Sequence, residues 1–210
     1  KMGAMCKGSG MIHPNMCTML GFITTDVNIS KELLLKALRD DVVDTFNMVS
    51  VDGDTSTNDS LIILANGLAD NEKITDENSD EYNLFKSNLN YITTSLSKMI
   101  AGDGEGATAL FEVVVKGAKT KEAARTLAKS VITSSLTKAA IFGHDANWGR
   151  ILCALGYSGE KFDPDHMELW FEGEEILRDS GRFTYKDVEE RYRLKGSKIH
   201  NVPIINNSEY

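Results

Sequence analysis

Proline is scarce in this chain, three residues among 210, against seventeen glycines. That balance speaks for close backbone approaches rather than rigid linkers. Cysteine is equally sparse: Cys6, Cys17 and Cys153 are an odd number without CxxC spacing. This argues against a disulfide framework and makes a reducing, cytoplasmic setting the default. No apolar run approaches 18 residues, so no segment reads as a membrane-spanning helix. There is no basic block, and 23 Lys and Arg against 31 Asp and Glu leave a net charge of −8. Sequence-independent nucleic-acid binding and attachment to an anionic membrane are disfavoured on that balance. The opening residues, KMGAMC, lack the charged region and apolar core of a signal peptide, and they read as an internal stretch of something longer.

What remains is ordinary globular composition, 41% hydrophobic and 26% charged. A chain of this length buries about 70% of its surface on folding, enough for a core without staples. The pattern is mixed α and β, with several helices, no strict βαβ alternation and no repeat. With no internal linker, it is expected to fold as one cooperative unit.

Residues 1–28 predict a strand around 19–23 between glycine turns. Ser30 is placed to cap a helix carrying Leu33, Leu34, Leu38, Val42 and Phe46. Residues 48–51 and 61–65 read as strands, and 52–59 as a loop. Residues 70–81 read as a solvated loop, eight of the twelve being Asp, Glu or Asn. Phe85, Leu89, Ile92, Leu96 and Met99 step by 4, 3, 4 and 3, an amphipathic helix stopped by Gly102. Residues 107–116 read as β-rich. Thr120 caps a helix carrying residues through Leu136, and Asp145 caps a short helix closed by Gly156. A hairpin is expected around Glu172-Gly173, then a helix at 186–194 and a strand at 202–205.

Four segments hold residue types that structure alone rarely demands. In residues 7–20, two glycines let backbone pass beneath a ligand, Lys7 could hold a carboxylate, and Thr18 is either a nucleophile or an ordinary strand threonine. Residues 52–59 crowd Asp52, Asp54 and Asp59 with hydroxyl and amide side chains. Their spacing fails as a calcium loop, with Gly at the second place and Ile63 at the twelfth. Turns that hold the loop and a site role stay open there. In residues 102–108, alternating glycines bring Glu105 to a place where backbone is close, for an ammonium or a proton transfer; it lacks the Gly-Lys-Ser/Thr of a phosphate loop. In residues 143–150, His144 and Asp145 suggest a triad, but an N-cap role for Asp145 and packing by Trp148 suit the spacing better. His13, His166 and His200 lack i, i+4 ligand spacing, so no metal is expected.

Together these segments closely resemble the ornithine acetyltransferase family, the bifunctional glutamate N-acetyltransferases of arginine biosynthesis. The match is carried by KGSGMIHPNMCTML at 7–20, GFITTD at 21–26, SVDGDTSTND at 50–59, GDGEGAT at 102–108 and NWGRI at 147–151. They run in family order across nearly the whole chain.

The resemblance implies an α+β fold, with mixed β-sheets sandwiched between helix layers in the manner of N-terminal nucleophile enzymes. It implies a precursor that cuts itself before the matched threonine, here at Cys17–Thr18. Residues 1–17 would then end the upstream product and residues 18–210 form the catalytic chain. The family usually has Ala before the threonine; Cys17 is nearly as small, so cleavage is expected to survive. The thiol could also be reactive itself, but it would leave with the upstream fragment. After cleavage Thr18 is the nucleophile, with its own α-amine as general base. Lys7 and Glu105 fall on substrate-binding positions, suited to an α-carboxylate and to the side-chain ammonium of ornithine. Asn207 matches a substrate-contacting Asn, and the family runs about two residues further, to a hydroxyl residue absent here.

The family's oxyanion hole comes from an upstream Thr-Gly pair that this chain lacks. The partners implied are that upstream half, N-acetylornithine and glutamate, in a dimer of two-chain protomers. No cofactor is implied beyond acetyl-CoA as an alternative acetyl donor. A self-processing amidase or aminopeptidase of the same superfamily is the competing reading.

Overall fold

The computed structural model describes residues 1–13, 19–171 and 174–177. Cys17, Thr18, Asn207, the expected helix at 186–194 and the expected strand at 202–205 lie outside the described residues. The chain divides into two compact units, Lys1–Leu110 and Phe111–Tyr210, where the sequence shows no linker and suggested one cooperative unit.

The first unit is a three-stranded mixed sheet backed by two helices. Strand β1 (Met2–Lys7) pairs antiparallel with β2 (Leu20–Thr25), and β2 pairs parallel with β3 (Ser60–Ala65). The parallel pair needs a crossover, supplied by helix α1 (Lys31–Val42). Ser30 caps α1 by accepting the Leu33 N–H at 3.3 Å. Gly21, Ile23 and Thr25 alternate inward along β2 with Leu20, Phe22 and Thr24 outward, the period of a half-buried strand.

Helix α2 (Asp80–Gly102) buries Tyr82, Phe85, Leu89, Leu96 and Ile100 in a core shared with Ile23, Leu33, Ala37, Phe46 and Leu61. Those positions fall at helical spacing on one face, as the sequence pattern requires. The Tyr82 hydroxyl is satisfied by donating to the Leu33 carbonyl at 3.2 Å. The acidic stretch before α2 is not wholly solvated. Ile74 is buried and bridges Ile29, so one apolar residue pins an otherwise polar loop.

Residues 48–51 are not a strand. A 3-10 turn, Phe46–Met48, leads into extended backbone without a ladder among the described residues. Val51 donates its N–H instead to the Ile12 carbonyl, at 2.7 Å. A β-rich composition makes a strand only where a neighbouring strand takes up the backbone groups.

Among its described residues, the second unit has the helices α3 (Lys121–Thr133), α4 (Ser135–Phe142) and α5 (Trp148–Gly156), and the expected antiparallel pair of β4 (Leu169–Phe171) and β5 (Glu174–Leu177). Leu127, Val131, Ile151, Ala154 and Leu155 form its core. Thr120 caps α3 as expected. The single helix foreseen from Thr120 through Leu136 breaks at Ser134, which leaves helical backbone and caps α4 by accepting the Thr137 N–H.

The N-cap of α5 is Asn147, not Asp145. Asn147 accepts the Arg150 N–H at 3.1 Å, while the Asp145 carboxylate accepts from the Asn147 side-chain amide at 2.9 Å. Residues 107–116 form no strand either. Val113 and Val115 turn inward and Glu112, Val114 and Lys116 outward. The strand period is thus present, but no ladder partner is found among the described residues.

Candidate functional site

The site is built where β1 ends. Lys7 is the last residue of β1, opposite Leu20 at the start of β2, and it is exposed. The chain then turns through Gly8 to Met11, a non-glycine residue at a φ of 56°. Left-handed backbone at a residue with a Cβ costs about 1–2 kcal/mol and persists only where its surroundings over-determine it.

Here they do. The Met11 and Ile12 N–H groups both donate to the Asp52 carboxylate, at 2.5 and 3.1 Å. Asp52 Oδ1 also accepts the Asp54 N–H at 3.0 Å, an Asx turn that stiffens the gripping loop. His13 Nδ1 lies 3.0 Å from Ser50 Oγ, and Thr55 Oγ1 donates to the His13 carbonyl at 3.1 Å.

The same loop grips the chain where it re-enters the sheet. Met19 is buried, its N–H donates to Asp59 Oδ1, and its carbonyl accepts the Ser60 N–H at 2.8 Å. Residues 50–60 therefore fix both flanks of the five residues that include Cys17 and Thr18. Asp59 Oδ2 is buried and finds no hydrogen-bond partner among the described residues. Burial pushes the Asp59 carboxyl above its ordinary range, and the Met19 hydrogen bond opposes that rise.

Glu105 approaches from the turn after α2. Its N–H donates to the Ser9 carbonyl at 2.6 Å, docking the glycine-rich turn on the loop after Lys7. The approach is close at two glycines. A Cβ on Gly104 would fall 2.8 Å from Val51 Cγ1, and one on Gly10 would fall 2.6 Å from Glu105 Oε2. Glu105 and Lys7 are thus set on one loop system, both exposed, with a carboxylate and an ammonium available to a ligand.

Glu105 is docked in this way on the loop that follows Lys7. Cys17, Thr18 and Asn207 lie outside the described residues. The triad suggested by His144 and Asp145 finds no support, because the Asp145 carboxylate is engaged by Asn147. Asp52 spends its oxygens on backbone N–H groups. Among the described residues, no group of His, Cys, Asp or Glu is placed to hold a metal ion, and no helix is long and apolar enough to cross a membrane.

The grips by Asp52 and Asp59 are what the sequence reading missed. For Asp59 the one signal was position: it directly precedes β3, which the parallel register lays beside β2.

A sequence profile of the ArgJ family matches residues 1–205. The chain is 60% identical over 168 residues to the arginine biosynthesis bifunctional protein ArgJ 1 of Clostridium acetobutylicum, covering 80% of this chain and 41% of that protein. It is 52% identical over 198 residues to the arginine biosynthesis bifunctional protein ArgJ of Staphylococcus epidermidis, covering 94% of this chain and 50% of that one. The chain spans about half the length of these relatives. The crystal structure of the arginine biosynthesis bifunctional protein argJ from Bacillus halodurans superposes with a TM-score of 0.73 at 42% identity, covering 83% of this chain and 81% of that one. The α+β fold with its mixed sheet is accordingly the fold of these relatives. With the profile running through the loop after β1, the gripping loop at 50–60 and the Glu105 turn alike, the chain belongs to the ArgJ family of arginine biosynthesis.

Proposed function

We propose that this chain carries the nucleophile of an acetyl transfer from N2-acetylornithine to glutamate, after self-cleavage at Cys17–Thr18. In the cleavage, Thr18 Oγ attacks the Cys17 carbonyl, the peptide becomes an ester, and water opens it. This frees the Thr18 α-amine, whose unperturbed pKa of about 7.7–8.0 suits a general base near neutrality.

In the first half reaction Oγ attacks the acetyl carbonyl and the α-amine takes the Oγ proton. The proton then passes to the departing amine, so ornithine leaves and the acetyl group stays on Thr18. Glutamate reverses the sequence and carries the acetyl group away. Lys7 receives the substrate α-carboxylate, Glu105 the ornithine side-chain ammonium, and Asn207, just past the matched residues, a further polar group. Oxyanion donors come from an upstream half of the precursor, in a cytoplasmic dimer of two-chain protomers.

The observation that carries this reading is the double grip of residues 50–60 on the flanks of the cleavage segment, beside the Glu105 turn that docks on the Ser9 carbonyl just past Lys7. The test uses the full-length precursor. Intact-mass spectrometry is expected to show two chains split at Cys17–Thr18, and Thr18→Ala to abolish both splitting and transfer. A Thr18→Ala protein that still splits there refutes the reading. Acetate release without capture by glutamate would favour the amidase alternative, and an unsplit, inactive precursor a binding module. Acetyl-CoA with glutamate, in the same assay, tests the second donor.

A further inference from the structure

A polar group beside the cleavage segment that the proposed chemistry leaves unused is the second oxygen of Asp59. Its carboxylate sits immediately before β3 with Oδ1 on the Met19 N–H. Oδ2 is buried and accepts nothing among the described residues. A buried acceptor without a donor is costly and uncommon, and it calls for an explanation at that site.

Among the described residues, no charged side chain contributes to the shift of Asp59. Burial and the Met19 hydrogen bond are its two causes. Among the described residues, the oxygen therefore has no partner already acting as a counter-charge.

Covalent geometry supplies a donor. Met19 N is bonded to the carbonyl carbon of residue 18, and the α-nitrogen of residue 18 follows two bonds later. The two nitrogens are therefore roughly 2.8–3.6 Å apart, depending on the backbone torsion between them. A carboxylate with one oxygen on the first nitrogen can reach the second with its other oxygen. In the precursor that second nitrogen is a peptide nitrogen; after cleavage it is an amine.

We propose that Asp59 is a positioning residue, which orients the mature chain's α-amine with Oδ2 while Oδ1 fixes the Met19 amide. This rests on the acetyl-transfer reading above. When Thr18 Oγ bonds to the acetyl carbon, its proton moves to the α-amine and leaves an ammonium. Asp59 stays ionised, accepts a hydrogen bond from that ammonium, and takes no proton itself. The ammonium then returns the proton to the leaving amine. The arrangement parallels the carboxylate that steadies the base in a Ser-His-Asp triad.

A nearby negative charge favours the protonated amine. The wild-type Thr18 amine should therefore titrate above its unperturbed range of about 7.7–8.0. The amine is titrated on the cleaved wild-type enzyme by the pH dependence of its reductive methylation, read by mass spectrometry. A value at or below that range overturns the assignment, whatever the variants do.

Asp59→Asn keeps an acceptor for Met19 and removes the charge. It is expected to cleave, to lower the amine pKa and the acid limb of kcat/KM by about 1 unit or more, and to lose about 10²-fold in kcat with KM within about twofold. A purely structural role would move neither titration. A cleaved Asp59→Asn enzyme with an unmoved acid limb, or a folded variant that fails to cleave, overturns the role for Asp59 alone. A wild type that neither cleaves nor transfers acetyl overturns the underlying reading as well.

Discussion

Asp52 holds Ile12 across 40 residues of sequence, accepting its backbone N–H at 3.1 Å while Val51 donates back to the Ile12 carbonyl at 2.7 Å. The pair fixes the loop after Lys7 in a shape that Met11 would not choose, with its φ of 56°. Asp52→Ala removes the acceptor and leaves the strain. The expected outcome is self-cleavage slowed about tenfold or more, the cost of a hydrogen bond to a charged group being roughly 1.5–3 kcal/mol. Asp52→Asn retains one acceptor oxygen and should fall between the two. A time course of intact masses orders the three proteins, and equal rates would show that the loop shape does not matter for cleavage.

Gly10 and Glu105 test the substrate assignment without touching either charged group. An alanine Cβ at position 10 would lie 2.6 Å from Glu105 Oε2, the far end of a flexible side chain. The backbone can accept it, since Gly10 is not among the positive-φ glycines. Gly10→Ala should therefore turn the carboxylate aside and leave the melting temperature nearly unchanged. If Glu105 receives the ornithine ammonium, KM for acetylornithine rises about tenfold, equivalent to roughly 1.4 kcal/mol, with a smaller effect on glutamate. Equal effects on both substrates would argue against that role.

Gly104 differs from Gly10 in what it faces. Its added Cβ would meet Val51 Cγ1 at 2.8 Å and Cγ2 at 3.1 Å, and a β-branched side chain has little rotamer freedom to yield. Gly104→Ala is expected to destabilise the protein by about 1–3 kcal/mol through overpacking. At about 2–4 °C per kcal/mol for a chain of this size, the loss is readable in a thermal melt. Adding Val51→Ala should recover part of it, and a double variant no better than the single would place the strain elsewhere.

Local signals in the sequence identified the elements that local physics determines. The 4, 3, 4, 3 stepping of Phe85, Leu89, Ile92, Leu96 and Met99 fell inside α2, with Phe85, Leu89 and Leu96 buried. Ser30 and Thr120 capped the helices expected of them. Residues 48–51 and 107–116 have strand composition but no ladder among the described residues, because a strand is defined by a neighbour that composition does not name. Asp145 and Asn147 are both good caps, and only the helix start decides between them. At the site, Lys7 and Glu105 came from long motifs. The grips of Asp52 on Ile12 and of Asp59 on Met19 could not be read, since they join residues 40 apart and depend on how β2 and β3 align.

Burial of Asp59 also predicts how stability depends on pH before cleavage, where no free amine is present. Desolvation lifts its folded-state pKa above the ordinary 3.8, so the folded chain binds this proton more tightly than the unfolded chain does. The cost of keeping the ionised carboxylate buried is complete above the folded pKa. It shrinks as pH falls through that value and is gone below about 3.8, where both states are protonated. Asp59→Asn has no such titration. In an uncleavable Thr18→Ala background, the melting temperature of the Asn variant minus that of its Asp parent should rise from pH 4 to pH 7. Any constant offset from the amide cancels in that comparison. A difference that stays flat or falls over this interval would mean that the Met19 hydrogen bond outweighs burial at Asp59.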